Sequence, residues 1–202
     1  MRIITDKEIQ ALCISPQECV GWVRQSFSIK YEAQLPPKSS VHPQGIDFFT
    51  SMPCLLPKQY DCYGVKVVSR IQGRKPALKS ELLLYKTSTG ELLALMEADW
   101  ITQMRTGAVA ALAIETLQKK DAQVYSFVGL GSTAHATMMC LQAILPKDKQ
   151  CRVYSTNGLC GNLCRVWWSA TKTASPSWWQ SPRNCCRASV SYPVRLPTTP
   201  QA

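Results

Sequence analysis

A short apolar run, Val124-Tyr-Ser-Phe-Val128, leads directly into Gly129-Leu-Gly131-Ser-Thr-Ala134 and then into an apolar stretch that reaches Leu145. Few folds accommodate that order. The run is short, β-branched and aromatic, so it reads as a strand, while the stretch after it is long enough for a helix. Gly129 permits a tight turn, Gly131 lets a ligand approach the backbone, and Ala134 lets helix and strand pack closely. The positive end of the helix favours an anion, above all a phosphate. The pattern predicts the strand, turn and helix that open a doubly wound sheet, with a seat for a dinucleotide pyrophosphate. A plain tight turn is the alternative reading of the two glycines. A second strand should follow and end in an acid about 20 residues on, to hold the ribose of NAD. Cys151-Arg-Val-Tyr154 is the candidate strand, but it runs into Ser155-Thr-Asn157 without an acid. Arg152 lies inside that strand, so neither NAD nor NADP is selected.

Residues 97–117 read as a strand end that turns into a helix. Ile101, Met104, Ala108, Ala111 and Leu112 recur at helical spacing and give it a small, apolar face. Arg105 stands near its start. Spacing alone fits a solvated arginine, or an anion receptor whose planar fork matches a carboxylate. The polar break Lys119-Lys120-Asp121 marks the boundary between a first domain, 1–118, and the start of a second, 119–157.

Two capping boxes open the chain, Thr5-x-x-Glu8 and Ser15-Pro16-x-Glu18, the second with proline at the first helical position. Val20, Val23 and Phe27 then mark the expected buried face of the second helix, which must end before Pro36-Pro37. An extended segment carrying Lys38 and His42 follows, with His42 read as structural. Tyr63-Gly-Val-Lys-Val-Val-Ser69 alternates and is β-branched, so it is a strand. Lys66 inside it is either a lysine reaching out at a sheet edge or a group facing a wet cleft. Burial there would lower its pKa and suit it to proton transfer. Residues 80–96 read as a hairpin around a Gly90 turn.

Gly64-Val-Lys66, Met104-Arg-Thr106-Gly-Ala and the glycine turn together resemble the ornithine cyclodeaminase/mu-crystallin family over about residues 1–150. The resemblance implies an α/β protein: an α+β substrate and dimerisation domain followed by a Rossmann domain, here incomplete. It implies NAD as cofactor with NADP not excluded, a small amino-acid substrate and a homodimer. Ornithine would become proline by hydride removal at the α-carbon, attack of the δ-amine on the imine, loss of ammonia and reduction of the ring imine. Imine reduction, as in the pyrroline-2-carboxylate and ketimine reductases of the family, is a second expectation. A nucleotide-binding product without turnover is a third. Arg105 and Lys38 would hold the carboxylate, with Lys38 standing where the family commonly has arginine. Lys66 would sit beside the reacting amine. Ser80 matches a hydroxyl position on the strand before the hairpin turn, although an ordinary strand residue is the other reading. Gly129, Gly131, Ser132, Thr133 and Ala134 would form the pyrophosphate turn.

Composition bounds the rest. Residues 151–202 hold six basic residues and no Asp or Glu, so most of the net charge of +10 lies there. No recognition module accompanies that charge, so a nucleic-acid partner is not expected. Five of the ten Cys and four of the six Trp fall in the same stretch. Neither Cys160-x3-Cys164 nor Cys185-Cys186 has the spacing of a zinc knuckle, so no metal is expected. Beyond Asn157 neither period persists, and residues 158–202 read as an aberrant, disordered tail translated from a shifted frame, or as an authentic basic tail. The start lacks the apolar core of a secretory signal and no run approaches the about 20 residues of a bilayer span, so a cytoplasmic protein with no membrane contact is expected.

Overall fold

The computed structural model describes residues 1–129, 131–145, 150–154 and 164–167, the last two segments by their backbone. The chain divides into two compact units. The first comprises residues 1–117 with 136–144, and the second residues 118–135 with 145–202.

The first unit begins with β1 (Arg2–Ile4), α1 (Asp6–Ala11) and α2 (Pro16–Ile29). Both helices start at capping boxes, as the sequence predicts. The Thr5 and Ser15 hydroxyls accept the amides of Glu8 and Glu18, and each glutamate returns a bond to its cap amide at 2.8 Å. Val20 is buried, but Phe27 is 49% exposed, so the expected apolar face of α2 does not continue through its last turn. Arg24 still reaches α3, pairing with Glu115 at 2.7 Å.

A six-stranded sheet follows from β2 (Ser39–Val41), β3 (Phe48–Leu55), β4 (Cys62–Arg70), β5 (Leu78–Lys86) and β6 (Leu92–Glu97), in the order β1-β6-β5-β4-β3-β2. All pairings are antiparallel except that of β1 with β6. The β5–β6 hairpin turns at Gly90, whose φ of +72° an L side chain rarely adopts. Asp61 clasps the same end, accepting the Thr87 hydroxyl and the Ser88 amide at 2.6 and 2.7 Å.

α3 (Asp99–Leu117) packs on β5, and α1 and α2 pack on α3. Met104, Ala108, Ala111 and Leu112 are buried, which is the face predicted from their spacing. Strand alternation then sorts the sheet into two faces. Ile4, Met96, Leu82, Lys66 and Met52 lie in register on the helix side. Ile3, Leu95, Leu83, Val65 and Pro53 form the matching row on the opposite side, and Ile3 is 62% exposed.

The second unit contains β7 (Val124–Val128), the first turn of α4 (Ser132–Ile144), β8 (Gln150–Tyr154) and β9 (Cys164–Trp167). β7 and β8 are parallel, as a strand, helix and strand unit requires. β9 lies within the stretch read as an aberrant tail. It pairs antiparallel with β8, where Cys-Arg-Val-Trp finds partners for its amides along an open strand edge. The remaining residues of the expected tail lie outside the described ones. No helix among the described residues is long and apolar enough to cross a membrane. Cys13, Cys19, Cys54, Cys62 and Cys140 are free thiols.

Candidate active site

Lys66 occupies an interior strand of the first unit, with Met52 and Leu82 opposite it on β3 and β5. Its Nζ donates to the Thr102 hydroxyl of α3 at 3.4 Å. Burial, and then the nearby positive charge of Arg105, lower its pKa from the ordinary 10.5 to about 8. Among the described residues, no carboxylate pairs with either Lys66 or Arg105. Lys66 is thus a half-buried cation held by a hydroxyl, with a second cation near it.

Arg105 lies on α3 three residues after Thr102 and is exposed. The helix start is locked to the sheet. The Asp99 carboxylate accepts the Ser80 amide at 2.6 Å and pairs with Lys79 at 3.4 Å, and the Ala98 amide donates to the Ser80 carbonyl at 2.8 Å. The Trp100 amide donates to Asp6 at 3.3 Å. These bonds fix the orientation of α3, and with it the positions of Thr102 and Arg105 over β4.

Ser80 is buried on β5, opposite Val68 and two residues from the partner of Lys66. It therefore shares the Lys66 face, and its backbone bonds to Ala98 and Asp99. Thr50, also opposite Val68, is buried and shares a hydrogen bond of 2.7 Å with the Ser40 hydroxyl. Lys38 is exposed just before β2, and no bond ties it to Lys66 or Arg105. His42 meets the Asp47 carbonyl at 3.1 Å and the Phe48 ring edge-on, which suits the structural role expected for it. Sequence reasoning missed Thr102, Thr50 and Asp99. Only Thr102 left a local sign, its spacing of three from Arg105 on one helix.

A cavity of about 540 Å³ opens between α1, α2 and α3, lined by Ile9, Trp22, Trp100 and Met104 among others. Ser26 and Arg105 are its polar contributors, so it lacks the converging polar groups that orient a small ligand. No cluster of three potential metal-binding side chains occurs among the described residues.

In the second unit, Gly129 has φ +101° and ends β7, and α4 starts at Ser132. A Cβ built on Gly131 would meet no atom of the described residues within 4 Å. Ser132 and Thr133 are exposed in the first turn of α4, with Ala134 half-buried behind them.

The sequence profile of the ornithine cyclodeaminase/mu-crystallin family matches residues 2–170. An alanine dehydrogenase of Archaeoglobus fulgidus is 30% identical over 148 residues, covering 70% of this chain and 44% of that protein. An archaeal alanine dehydrogenase dimer with bound NAD superposes with a TM-score of 0.70 at 27% identity, over 78% of this chain and 49% of that one. The Δ1-pyrroline-2-carboxylate reductase of Thermococcus litoralis, in complex with NADH and L-proline, gives 0.71 at 27% identity, over 78% of this chain and 50% of that one. The chain thus spans about half the length of the proteins it matches. The three motifs quoted from the sequence all fall inside the matched region, and the profile extends past β9. The chain belongs to the ornithine cyclodeaminase/mu-crystallin family.

Proposed function

We propose that this chain carries the imino-acid site of an NAD(P)-dependent reductase acting on a cyclic α-imino acid, with a pyrroline-2-carboxylate or related ketimine as substrate and the amino acid as product. The observation that carries the reading is the pair of basic groups, Lys66 and Arg105, without a carboxylate partner among the described residues. Arg105 presents the fork that a carboxylate fits. Lys66 holds its proton loosely, with a pKa of about 8, and so exchanges it at the substrate nitrogen near neutral pH. Lys38 is proposed as a further contact to the carboxylate, and Ser80 as a boundary of the pocket. The lack of a side chain at Gly131 and the φ of +101° at Gly129 fit a pyrophosphate, with Ser132, Thr133 and Ala134 completing the turn. The nicotinamide cofactor, when bound, supplies the hydride.

Reduction is favoured over ornithine cyclisation because the similar proteins named above are a reductase and dehydrogenases. The test offers the chain NADH with Δ1-pyrroline-2-carboxylate in one arm and NAD with L-ornithine in the other. Faster NADH consumption in the first arm is expected. Ammonia release from ornithine without imine reduction would return the assignment to cyclodeamination. Binding of L-proline without NADH consumption in the first arm would leave a ligand holder without turnover.

A homodimer is part of the same proposal. The row Ile3, Leu95, Leu83, Val65 and Pro53 leaves an apolar sheet face on the side away from α3, and apolar faces of this kind mark association surfaces. Leu83→Lys should convert a dimer into a monomer in sedimentation velocity. A monomeric parent chain would remove the dimer from the proposal.

A further inference from the structure

We propose that Thr102 is the positioning residue for Lys66, holding its side-chain nitrogen toward the anion site in both protonation states. This rests on the reading of Lys66 as the group beside the substrate nitrogen. The Thr102 hydroxyl stands 3.4 Å from Lys66 Nζ and is the hydrogen-bond partner that the described residues give to that nitrogen. The neighbours across the strands, Met52 and Leu82, are apolar and offer it no side-chain acceptor. The charged group facing Lys66 is Arg105, from the same helix as Thr102, and it repels the ammonium.

The chemistry of the partner matters here. A carboxylate would anchor the ammonium and hold its proton. A hydroxyl accepts from the ammonium and donates to the neutral amine, so it keeps the nitrogen in place while the proton leaves and returns. Thr102 is also fixed from below. Its amide donates to the Ala98 carbonyl at 2.9 Å, and its carbonyl accepts the Thr106 hydroxyl at 2.7 Å. Ala98 is itself bonded to Ser80, so the hydroxyl is referenced to β5 as well as to α3.

Thr102→Val keeps the shape of the side chain and removes the hydroxyl, whereas Thr102→Ser keeps the hydroxyl. The primary readout is independent of cofactor and turnover: acetylation of Lys66 by acetic anhydride across a pH series, followed by peptide mass spectrometry. Loss of the acceptor destabilises the ammonium, so the midpoint for Lys66 in Thr102→Val should fall by about 0.5–1 pH unit below that of the parent, with Thr102→Ser near the parent. The second readout is reduction of Δ1-pyrroline-2-carboxylate, where Thr102→Val should lose roughly tenfold in kcat/KM and Thr102→Ser should restore it. An unchanged midpoint in Thr102→Val, or equal damage in both variants, would overturn the positioning role. A shifted midpoint in a parent chain that neither binds L-proline nor reduces the imine would uphold Thr102 and overturn the reading of the site.

Discussion

Gly107→Val should be the most disruptive single substitution in the first unit. Gly107 lies in the middle of α3, where glycine lowers helix stability by about 1 kcal/mol relative to alanine. It is tolerated because of what faces it. A Cβ there would stand 2.5 Å from the Ala136 carbonyl carbon, 2.6 Å from the Thr137 amide nitrogen and 2.7 Å from the Ala136 carbonyl oxygen. All three atoms are backbone, so no side chain can swing away, and α3 and α4 must separate. That separation would open the interior around Met138, Cys140 and Leu141, the largest fully buried side chains among the described residues. Overpacking costs roughly 1–3 kcal/mol for modest insertions and more where backbone must move, so Gly107→Ala should lose about that much and Gly107→Val more. Gly21 provides the internal control. It lies in α2 with no atom within 4 Å of a built Cβ, so Gly21→Ala should gain about 0.5–1 kcal/mol from helix propensity alone. Urea midpoints of the three variants decide the matter. A stabilised Gly107→Ala would mean that the helices do not approach as closely as described.

This contrast shows what was legible in the sequence and what was not. The capping boxes at Thr5 and Ser15, the buried face of α3 and the alternation through β4 depend on neighbours three, four or two residues away, and all of them appear where the pattern put them. The demand on Gly107 comes from residues nearly thirty positions later, so no local period carries it. The Lys66–Thr102 bond has the same character, spanning 36 residues between a strand and a helix. Phe27 follows the helical period of α2 and is nevertheless exposed, because a period marks a face and not how far its neighbours cover it. β9 was missed because a strand of four residues that draws its bonds from the edge of β8 needs little pattern of its own. Pattern alone left Lys66 and Arg105 open between surface and site roles, and the family resemblance singled them out. That the two stand close enough to interact is a tertiary fact.

The interaction of those two charges gives the last expected result, which is the largest in function. Lys66→Met should lower imine reduction by roughly 10²–10⁴-fold, the range of a proton-transfer group, and Arg105→Met should weaken L-proline binding by removing a charge-assisted fork. The same Lys66 change should stabilise the fold. In the unfolded chain Lys66 keeps the ordinary pKa of 10.5, and in the folded chain burial and then Arg105 lower it to about 8. Below pH 8 both states hold the proton and the folded state bears the full penalty of a half-buried charge. Between about 8 and 10.5 the folded state releases the proton first, so stability rises with pH through that window. Lys66→Met should therefore be more stable than the parent by about 0.5–2 kcal/mol at neutral pH, with the gap closing toward pH 10.5, a trade of stability against function of a familiar kind. Imine reduction should move in the opposite direction. The substrate nitrogen takes its proton from Lys66, so kcat/KM for Δ1-pyrroline-2-carboxylate should decline as pH rises past 8. Arg105→Met removes the repulsion, raises the Lys66 pKa and should carry that alkaline decline to higher pH even as it weakens binding overall. An alkaline limb that stays in place in Arg105→Met would show that the two charges do not share one site.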